Sequence, residues 1–327
     1  MGLVRVILLL GHLAVVVLLG ASFLNAWLPP KFLGYLNLLS LAFPFLVILH
    51  GIFTLCWLLM WKKRGIVFLV FSLLLLNPVR RWVNYNAESP RKANLKVVTF
   101  NSHSGDYAKT LRGKESVEQF IREQQADFIL FQEQRKRELQ NPNYHSQGII
   151  GIYTPHKILK KESLISEEYN AYSFYADVEV DGRIVRVINV YLQPFELEKS
   201  MVKPTQNMEV NKEKGKKLLF RLIPTFKDHQ VQVEMVRKAV EASPYPVILA
   251  GDFNAVPNSW EYYHLGKDLV DAFMEVGKGS ATSFHSFKFP IRIDYIFTSS
   301  SIKPVSYRVD RGVTLSDHFP VIATFEW

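Results

Sequence analysis

Carboxylates, carboxamides, a phenol and an imidazole recur in six short clusters along the second two-thirds of this chain. They are Phe100-Asn101, Phe131-Gln132-Glu133, Asn189-Val190-Tyr191-Leu192, Gly251-Asp252-Phe253-Asn254, Arg292-Ile293-Asp294-Tyr295 and Ser316-Asp317-His318. Acidic oxygens hold hard divalent cations, and amide, hydroxyl and imidazole groups donate to anionic oxygens. The combination suits a divalent metal beside a phosphate. Asp252 and Asn254 alternate across Phe253, so in extended backbone they would face the same way, one a proton acceptor and the other a neutral donor. An Asx turn closing a strand is the plain structural reading of the same residues. Asp294 stands inside an otherwise apolar run, and a buried carboxylate needs a partner. His318 is the natural one, because a carboxylate fixes an imidazole's tautomer and supports its cationic form; a purely structural ion pair is the rival. Glu133 fits a cation that takes one or two carboxylates and leaves its other positions to water and phosphate. Asp317 is a possible second contact, and a solvated glutamate at a helix start is the rival for Glu133. Asn101 either orients metal or phosphate, or simply ends its strand in a turn.

Strand ends must gather these groups. Residues 95–100 (LKVVTF) and 127–131 (DFILF) read as strands, with a helix over 116–124 between them from the spacing of Val117, Phe120 and Ile121. Residues 172–180 and 183–191 flank Asp181-Gly182, a two-residue hairpin signal. Asp228 is expected to cap a helix whose buried face is Val233, Val236 and Val240, stopped by Ser243-Pro244. Residues 247–250, 292–298, 303–309 and 321–325 complete the strands. Strands of this kind with few helices imply an α/β fold, two sheets packed face to face with helices outside. Residues 83–94 read as a polar linker, and residues 95–327 as one domain.

The first 82 residues differ in kind. Stretches 4–24, 32–61 and 66–76 are apolar, and the first two reach the roughly 20 residues that a bilayer span requires. About three transmembrane helices are expected, the second kinked or tilted at Pro44 and the third short. A signal peptide for the first stretch, or buried core helices, are the competing readings. The net charge of +9 belongs mostly here: nine basic residues against Glu88 alone give +8 in residues 1–95, and 30 basic against 29 acidic residues leave +1 in the rest. The domain therefore lacks the electrostatic footprint of a nucleic-acid binder. Lys62-Lys63-Arg64 favours a cytoplasmic loop and an extracytoplasmic domain, whereas Arg80 and Arg81 pull the other way. Cys56 is the single cysteine, which excludes an intrachain disulfide.

In this order and spacing the six clusters resemble the endonuclease/exonuclease/phosphatase superfamily, which includes DNase I-like nucleases, exonuclease III-like enzymes, neutral sphingomyelinases and inositol polyphosphate 5-phosphatases. The resemblance covers residues 95–327 and excludes the membrane stretches. It implies a four-layered α/β sandwich and metal-assisted attack of water on a phosphate ester. By that resemblance Glu133 would bind Mg²⁺ or Mn²⁺ with Asn101 and Asp317 nearby. Asp252 would orient or deprotonate the water, Asn254 would hold it or the phosphate, and His318, held by Asp294, would stabilise the transition state. Tyr191 stands where many members carry histidine; exonuclease III-like members share the tyrosine. A phenol is a poor general acid at neutral pH, so a two-histidine mechanism is in doubt, and Tyr191 could instead simply pack on the sheet. A membrane-anchored, metal-dependent phosphoesterase follows, phosphodiesters mildly favoured, acting on nucleic acid, a phospholipid head group or a sugar phosphate, with the lipid bilayer as partner and no obligate protein partner. A catalytically silent module that binds phosphorylated ligands is the alternative. The basic, apolar segment 212–226, interrupted by Pro224, is expected either to lie on a membrane interface or to pack as a lid.

Overall fold

A computed structural model describes residues 2–103, 117–134, 141–165, 168–286, 291–313 and 315–327. Ser116, expected to open a helix, lies outside the described residues.

Among the described residues fourteen strands form three sheets. Strands β1 (Val83–Tyr85) and β11 (Lys278–Ser280) make a small ribbon. The first large sheet holds β6 (Lys157–Ser163), β7 (Tyr172–Val180), β8 (Arg183–Tyr191), β9 (Val247–Asp252), β10 (Val270–Asp271) and β12 (Asp294–Thr298), in the order β10-β12-β9-β8-β7-β6. The second holds β2 (Leu95–Asn101), β3 (Phe128–Gln132), β4 (Tyr144–Gln147), β5 (Ile150–Tyr153), β13 (Lys303–Val309) and β14 (Val321–Glu326), in the order β13-β14-β2-β3-β5-β4. Both are mixed, with one parallel pair each, β8 beside β9 and β2 beside β3. Alternation along the strands sends Val97, Phe128 and Leu130 of one sheet against Phe174, Val187, Ile248 and Ile296 of the other. Their outer faces are covered by helices. Val233 and Val236 pack on Ile188, Val190 and Leu249, and Phe120 and Ile121 pack on Val98, Phe100 and Ile129. The expected α/β sandwich of two packed mixed sheets is present.

The Asp181-Gly182 hairpin forms as expected, with both residues at positive φ, 49° and 76°, as a two-residue turn that follows the strands' twist demands. The helix expected to begin at Asp228 does not begin there. It runs from Met208 to Glu241, capped by the Asn207 side chain, and carries Pro224 inside. Pro224 removes one backbone bond, but Leu222 and Phe226 on either side are buried, and their packing holds the helix together. The segment 212–226 is therefore one half of a long helix, with Leu219 and Phe220 exposed and Leu222 and Phe226 inward.

Residues 83–94 are not a free linker throughout. Val83–Tyr85 pair with Lys278–Ser280, and the buried Asn84 amide donates to the carbonyls of Phe273 and Met274 at 3.1 and 2.9 Å.

Two N-terminal helices, Leu3–Ser22 (extended by a 3₁₀ turn to Ala26) and Tyr35–Leu59, are long and apolar enough to cross a membrane. The third stretch does not form such a helix. It is a ten-residue helix, Lys63–Ser72, a 3₁₀ turn at Leu73–Leu75 and a last helical piece, Leu76–Arg80. Polar groups are turned inward in this region. His12 and His50 lie 2.9 Å apart, Trp57 Nε1 donates to His12 at 3.1 Å, and His50 meets Ser72 at 3.0 Å. Leu3, Ile7, Leu10, Val17, Ile48 and Ile52 point outward and are exposed.

Candidate active site

Strand register assembles the site. Tyr191 pairs with Asp252 across β8 and β9, and Asp252 pairs with Asp294 across β9 and β12. Three neighbouring strands thus end in one row of a phenol and two carboxylates. In the other sheet Asn101 pairs with Gln132, and Glu133 follows with φ at 53°. That left-handed turn, uncommon for a residue with a Cβ, takes Glu133 off the strand line and towards the opposite sheet. Gly251, at φ 146°, allows β8 and β9 to approach closely: a Cβ there would lie 1.9 Å from the Val190 carbonyl oxygen.

Asn101 bridges the sheets. Its Nδ2 donates to Glu133 Oε1 at 2.9 Å and to Asp252 Oδ2 at 3.0 Å. It turns its amine, not its carbonyl, towards both carboxylates. Tyr191 donates its hydroxyl to Glu133 Oε1 at 3.0 Å. His318 Nδ1 sits 2.9 Å from Asp294 Oδ2, and its Nε2 faces Asp252 Oδ2 at 3.8 Å. The Asp252 carboxylate also accepts the Asn254 backbone N–H at 2.8 Å, an Asx turn. Asn254 is at φ 46°, so the extended alternation expected for Asp252 and Asn254 is absent. The Asn254 amide donates instead to the Leu192 carbonyl at 2.8 Å, while the residue still lines the cavity over the site together with Asp317.

Two residues outside the sequence expectation join the group. His103 Nδ1 lies 2.9 Å from Glu133 Oε2, and Ser283 Oγ accepts the N–H groups of Ile293 and Asp294 at 3.2 and 3.1 Å. His103 stands two residues after Asn101, and that spacing was the one available signal; nothing in the chain marks Ser283. Behind the site, Gln132 donates to Asn189 at 2.7 Å, and Asn189 donates to the carbonyls of Phe131 and Gly151, which locks the two sheets in register at this end.

Electrostatics separate the groups. Burial pushes the Glu133 carboxyl up, but hydrogen bonds from His103 and Asn101 outweigh it and bring it down to about 2. Burial and the neighbouring Asp294 charge push Asp252 up, to about 7. Burial lowers His318, but Asp294 and then Asp252 override it and raise the imidazole to about 10. Burial, followed by Glu133 and Asp252, raises the Tyr191 phenol far above its ordinary value. The site thus offers one firmly charged carboxylate, one proton-accepting carboxyl tuned near neutrality, one cationic imidazole and one phenol that keeps its proton.

The donor set fits a divalent cation. Asp252, Asp294 and His318, all buried, bring three ligand atoms within 4.8 Å of one another. Asp294 Oδ1 is buried without a hydrogen-bond partner among the described residues, the state expected of an oxygen whose partner is an ion or a water. Three carboxylates, Glu133, Asp252 and Asp317, line one cavity, with Asp294 held behind His318, oxygen donors of the kind a hard divalent cation takes.

The family model for the endonuclease/exonuclease/phosphatase family matches residues 98–318, which contain every one of these groups. The chain belongs to that family. Its class is that of metal-dependent phosphoester hydrolases. Among solved structures of the family's fold, mannosyl-6-phosphatase of Bacteroides thetaiotaomicron is 18% identical over 72% of this chain and 100% of its own, with a TM-score of 0.51. Humanized TDP2 of D. rerio, carrying 14 mutations, is 17% identical over 71% of this chain and 99% of its own, also at 0.51. An endonuclease/exonuclease/phosphatase from Bacteroides vulgatus is 17% identical over 72% and 99%, at 0.50. These likenesses establish the sandwich. A second family model, a domain of unknown function (DUF8431), matches residues 5–82. No curated protein matches the chain.

Proposed function

We propose that this protein is a membrane-anchored phosphoesterase, dependent on Mg²⁺ or Mn²⁺, with residues 1–82 as anchor and 95–327 as catalytic domain. The observation that carries the reading is the convergence of Glu133, Asp252 and His318 on one cavity, His318 backed by Asp294, with divided charge states. Glu133 and Asp317 would hold the cation through oxygen, the donor that Mg²⁺ and Mn²⁺ prefer. Asn101 serves as the strut that sets Glu133 against Asp252. The alternative seat among Asp252, Asp294 and His318 requires His318 to give up a proton that Asp294 supports, so the Glu133 side is favoured. When bound, the cation supplies charge stabilisation at the phosphate oxygens.

The chain's own groups do the rest. Asp252, poised near neutrality, takes the proton of an attacking water. His318, kept cationic by Asp294, donates to a phosphate oxygen as negative charge builds there. Tyr191 donates to Glu133 and fixes its orientation. Asn254 borders the same cavity and could hold the water or phosphate. Phosphodiesters are favoured mildly over monoesters.

Membrane anchoring is supported by an inside-out distribution. In both long helices only 22% of the apolar window is buried, which disfavours soluble core helices, while the polar His12, Asn37, His50 and Thr54 are inside. Membrane bundles show this pattern. The path of the chain supports three crossings. Residues near 25–37 touch the domain: Asn25 donates to the Asn258 carbonyl at 3.1 Å, and Asn37 to Glu261 at 2.7 Å. Helix Tyr35–Leu59 then runs away for 25 residues, about 37 Å. By residue 81 the chain is back, with Arg81 donating to Tyr263 and Asn258 at 2.6 and 2.8 Å. The broken segment 63–80 is the returning pass, antiparallel to the second, with Arg64 stacked on Trp57. Lys62-Lys63-Arg64 then lies on the far side from the domain. Arg80 donates to the Met274 carbonyl and Arg81 to Asn258, both in the domain, so they say little about orientation. The basic triplet on the cytoplasmic side sets the domain on the extracytoplasmic side.

The test is hydrolysis of bis-p-nitrophenyl phosphate by the full chain in dodecyl maltoside, with Mg²⁺, with Mn²⁺ and with EDTA. Metal-dependent turnover that is lost in Asp252→Asn is expected. Turnover indifferent to EDTA, or undiminished in Asp252→Asn, refutes the assignment.

A further inference from the structure

An apolar cleft of about 480 Å³ opens over the candidate site and extends to the second apolar helix, Tyr35–Leu59. At one end lie Glu133, Asp252 and His318. Its walls further out are Leu218, Leu222 and Phe226 of the long helix, Phe195, and Leu41 of the second apolar helix. Leu41 is the seventh residue of the helix that starts at Tyr35, so the cleft reaches about 9 Å along a helix read as spanning the bilayer. No lysine or arginine lines it among the described residues. A nucleic-acid channel needs cationic walls to meet its phosphates; this cleft offers alkyl and aromatic side chains. Its volume is in the range that encloses a small organic ligand.

We infer that the substrate is an amphiphile whose phosphate ester sits at Glu133, Asp252 and His318 while its hydrocarbon chain lies in this cleft, entering from the bilayer past Leu41. This rests on the phosphoesterase reading and narrows it to lipid-like phosphate esters. Three observations act together: the cleft is continuous with the charged site, one wall belongs to the anchor, and among the described residues its far walls are apolar without a cation. The anchor is then part of the substrate site as well as a tether. Water adds its oxygen to phosphorus, the bond to one ester oxygen breaks, and the proton accepted by Asp252 leaves to solvent or to the departing oxygen.

The experiment compares ethyl p-nitrophenyl phosphate with hexadecyl p-nitrophenyl phosphate on the full chain in dodecyl maltoside micelles with Mg²⁺ or Mn²⁺. The reacting bond is the same, and only the chain differs. Each methylene seated in the cleft should raise kcat/KM up to about fourfold until the cleft is filled, so a preference for the hexadecyl ester of at least about tenfold is expected. Leu41→Trp and Leu218→Trp, both at partly exposed helix positions that tolerate a larger side chain, should each reduce that preference to within about threefold. Phe220→Ser, on the exposed side of the long helix at 80% accessibility, changes contact with the micelle and should leave the preference in place. Equal use of both esters by the wild type overturns the inference and leaves the phosphoesterase reading standing. A preference that survives both tryptophan variants also overturns it, because the chain is then only concentrated by the micelle. Failure to hydrolyse either ester refutes the phosphoesterase reading itself.

Discussion

Replacing Tyr191 with phenylalanine separates two roles that a phenol in this place could have. Its hydroxyl donates to Glu133 Oε1 at 3.0 Å, an oxygen that also accepts from Asn101 at 2.9 Å. Its proton is held tightly, by burial first and then by Glu133 and Asp252. On the proposed mechanism Tyr191 would be a positioning residue that aims Glu133 through this hydrogen bond, and not the acid that protonates a leaving group. A hydrogen bond to a charged group contributes about 1.5–3 kcal/mol, equivalent to a loss of about 10- to 160-fold. For Tyr191→Phe that loss should fall mainly on the Mg²⁺ activation constant, with most of kcat recovered at saturating metal. The assay is bis-p-nitrophenyl phosphate hydrolysis across a Mg²⁺ series at several pH values between 6 and 9. A kcat deficit above about 10³-fold at saturating Mg²⁺, with the activation constant unmoved, is the signature of lost general acid catalysis and refutes the reasoning. The opposite result, wild-type values throughout, would show that the hydrogen bond to Glu133 has no function.

Asp252→Asn should lower kcat by about 10²- to 10⁴-fold without unfolding the protein, read by turnover and circular dichroism together. In EDTA, stability should fall as pH rises from about 4 to 10. The contribution of Asp252, raised to about 7, is complete below 3.8 and lost as pH climbs through about 7; that of His318, raised to about 10, is complete below 6.5 and lost through about 10. Glu133 acts in the other direction, its contribution present above 4.5 and lost as pH falls through about 2. Thermal melts in EDTA that do not flatten between pH 4 and 7 in Asp252→Asn would contradict this account. Gly251→Ala places a Cβ 1.9 Å from the Val190 carbonyl oxygen at φ 146° and should cost at least about 3 kcal/mol, a fall of roughly 6–12 °C in Tm; a melt within 2–3 °C of wild type, roughly 1 kcal/mol, would show that β8 and β9 can separate freely. Asn37→Ala leaves Glu261 Oε2 without the 2.7 Å bond that joins the N-terminal helices to the sheet domain and should cost about 1–3 kcal/mol, seen as faster proteolysis between the two parts in detergent; unchanged cleavage would mean that the junction is held elsewhere.

Much of this architecture was legible in the chain because the signals are local. Alternating apolar residues mark strands whatever lies beside them, Asp181-Gly182 closes its hairpin from backbone preference alone, and the order of the six clusters pointed to the family. The pairing of Asp294 with His318 was also accessible, since a carboxylate in an apolar run demands a partner. Other features depend on neighbours distant in sequence. Pro224 reads as a helix breaker, yet Leu222 and Phe226 pack well enough to carry a helix through it. Asn254 reads as extended, yet it adopts φ 46° because Asp252 captures its N–H and Leu192 its amide. Residues 83–85 read as linker until Lys278–Ser280 supply the second strand.

The sequence by itself determined which side chains gather at the candidate site, that they lie at strand ends, and that an apolar region precedes them. Only the tertiary structure decided how these parts meet. It turned Asn101 into a strut between two carboxylates, brought His103 to Glu133, and set Leu41 of an N-terminal apolar helix into the wall of the site. The reason is physical: residue type fixes what a group can donate, accept or bury, but charge state and neighbour depend on distances across two sheets and a helical bundle, and no local pattern encodes those distances.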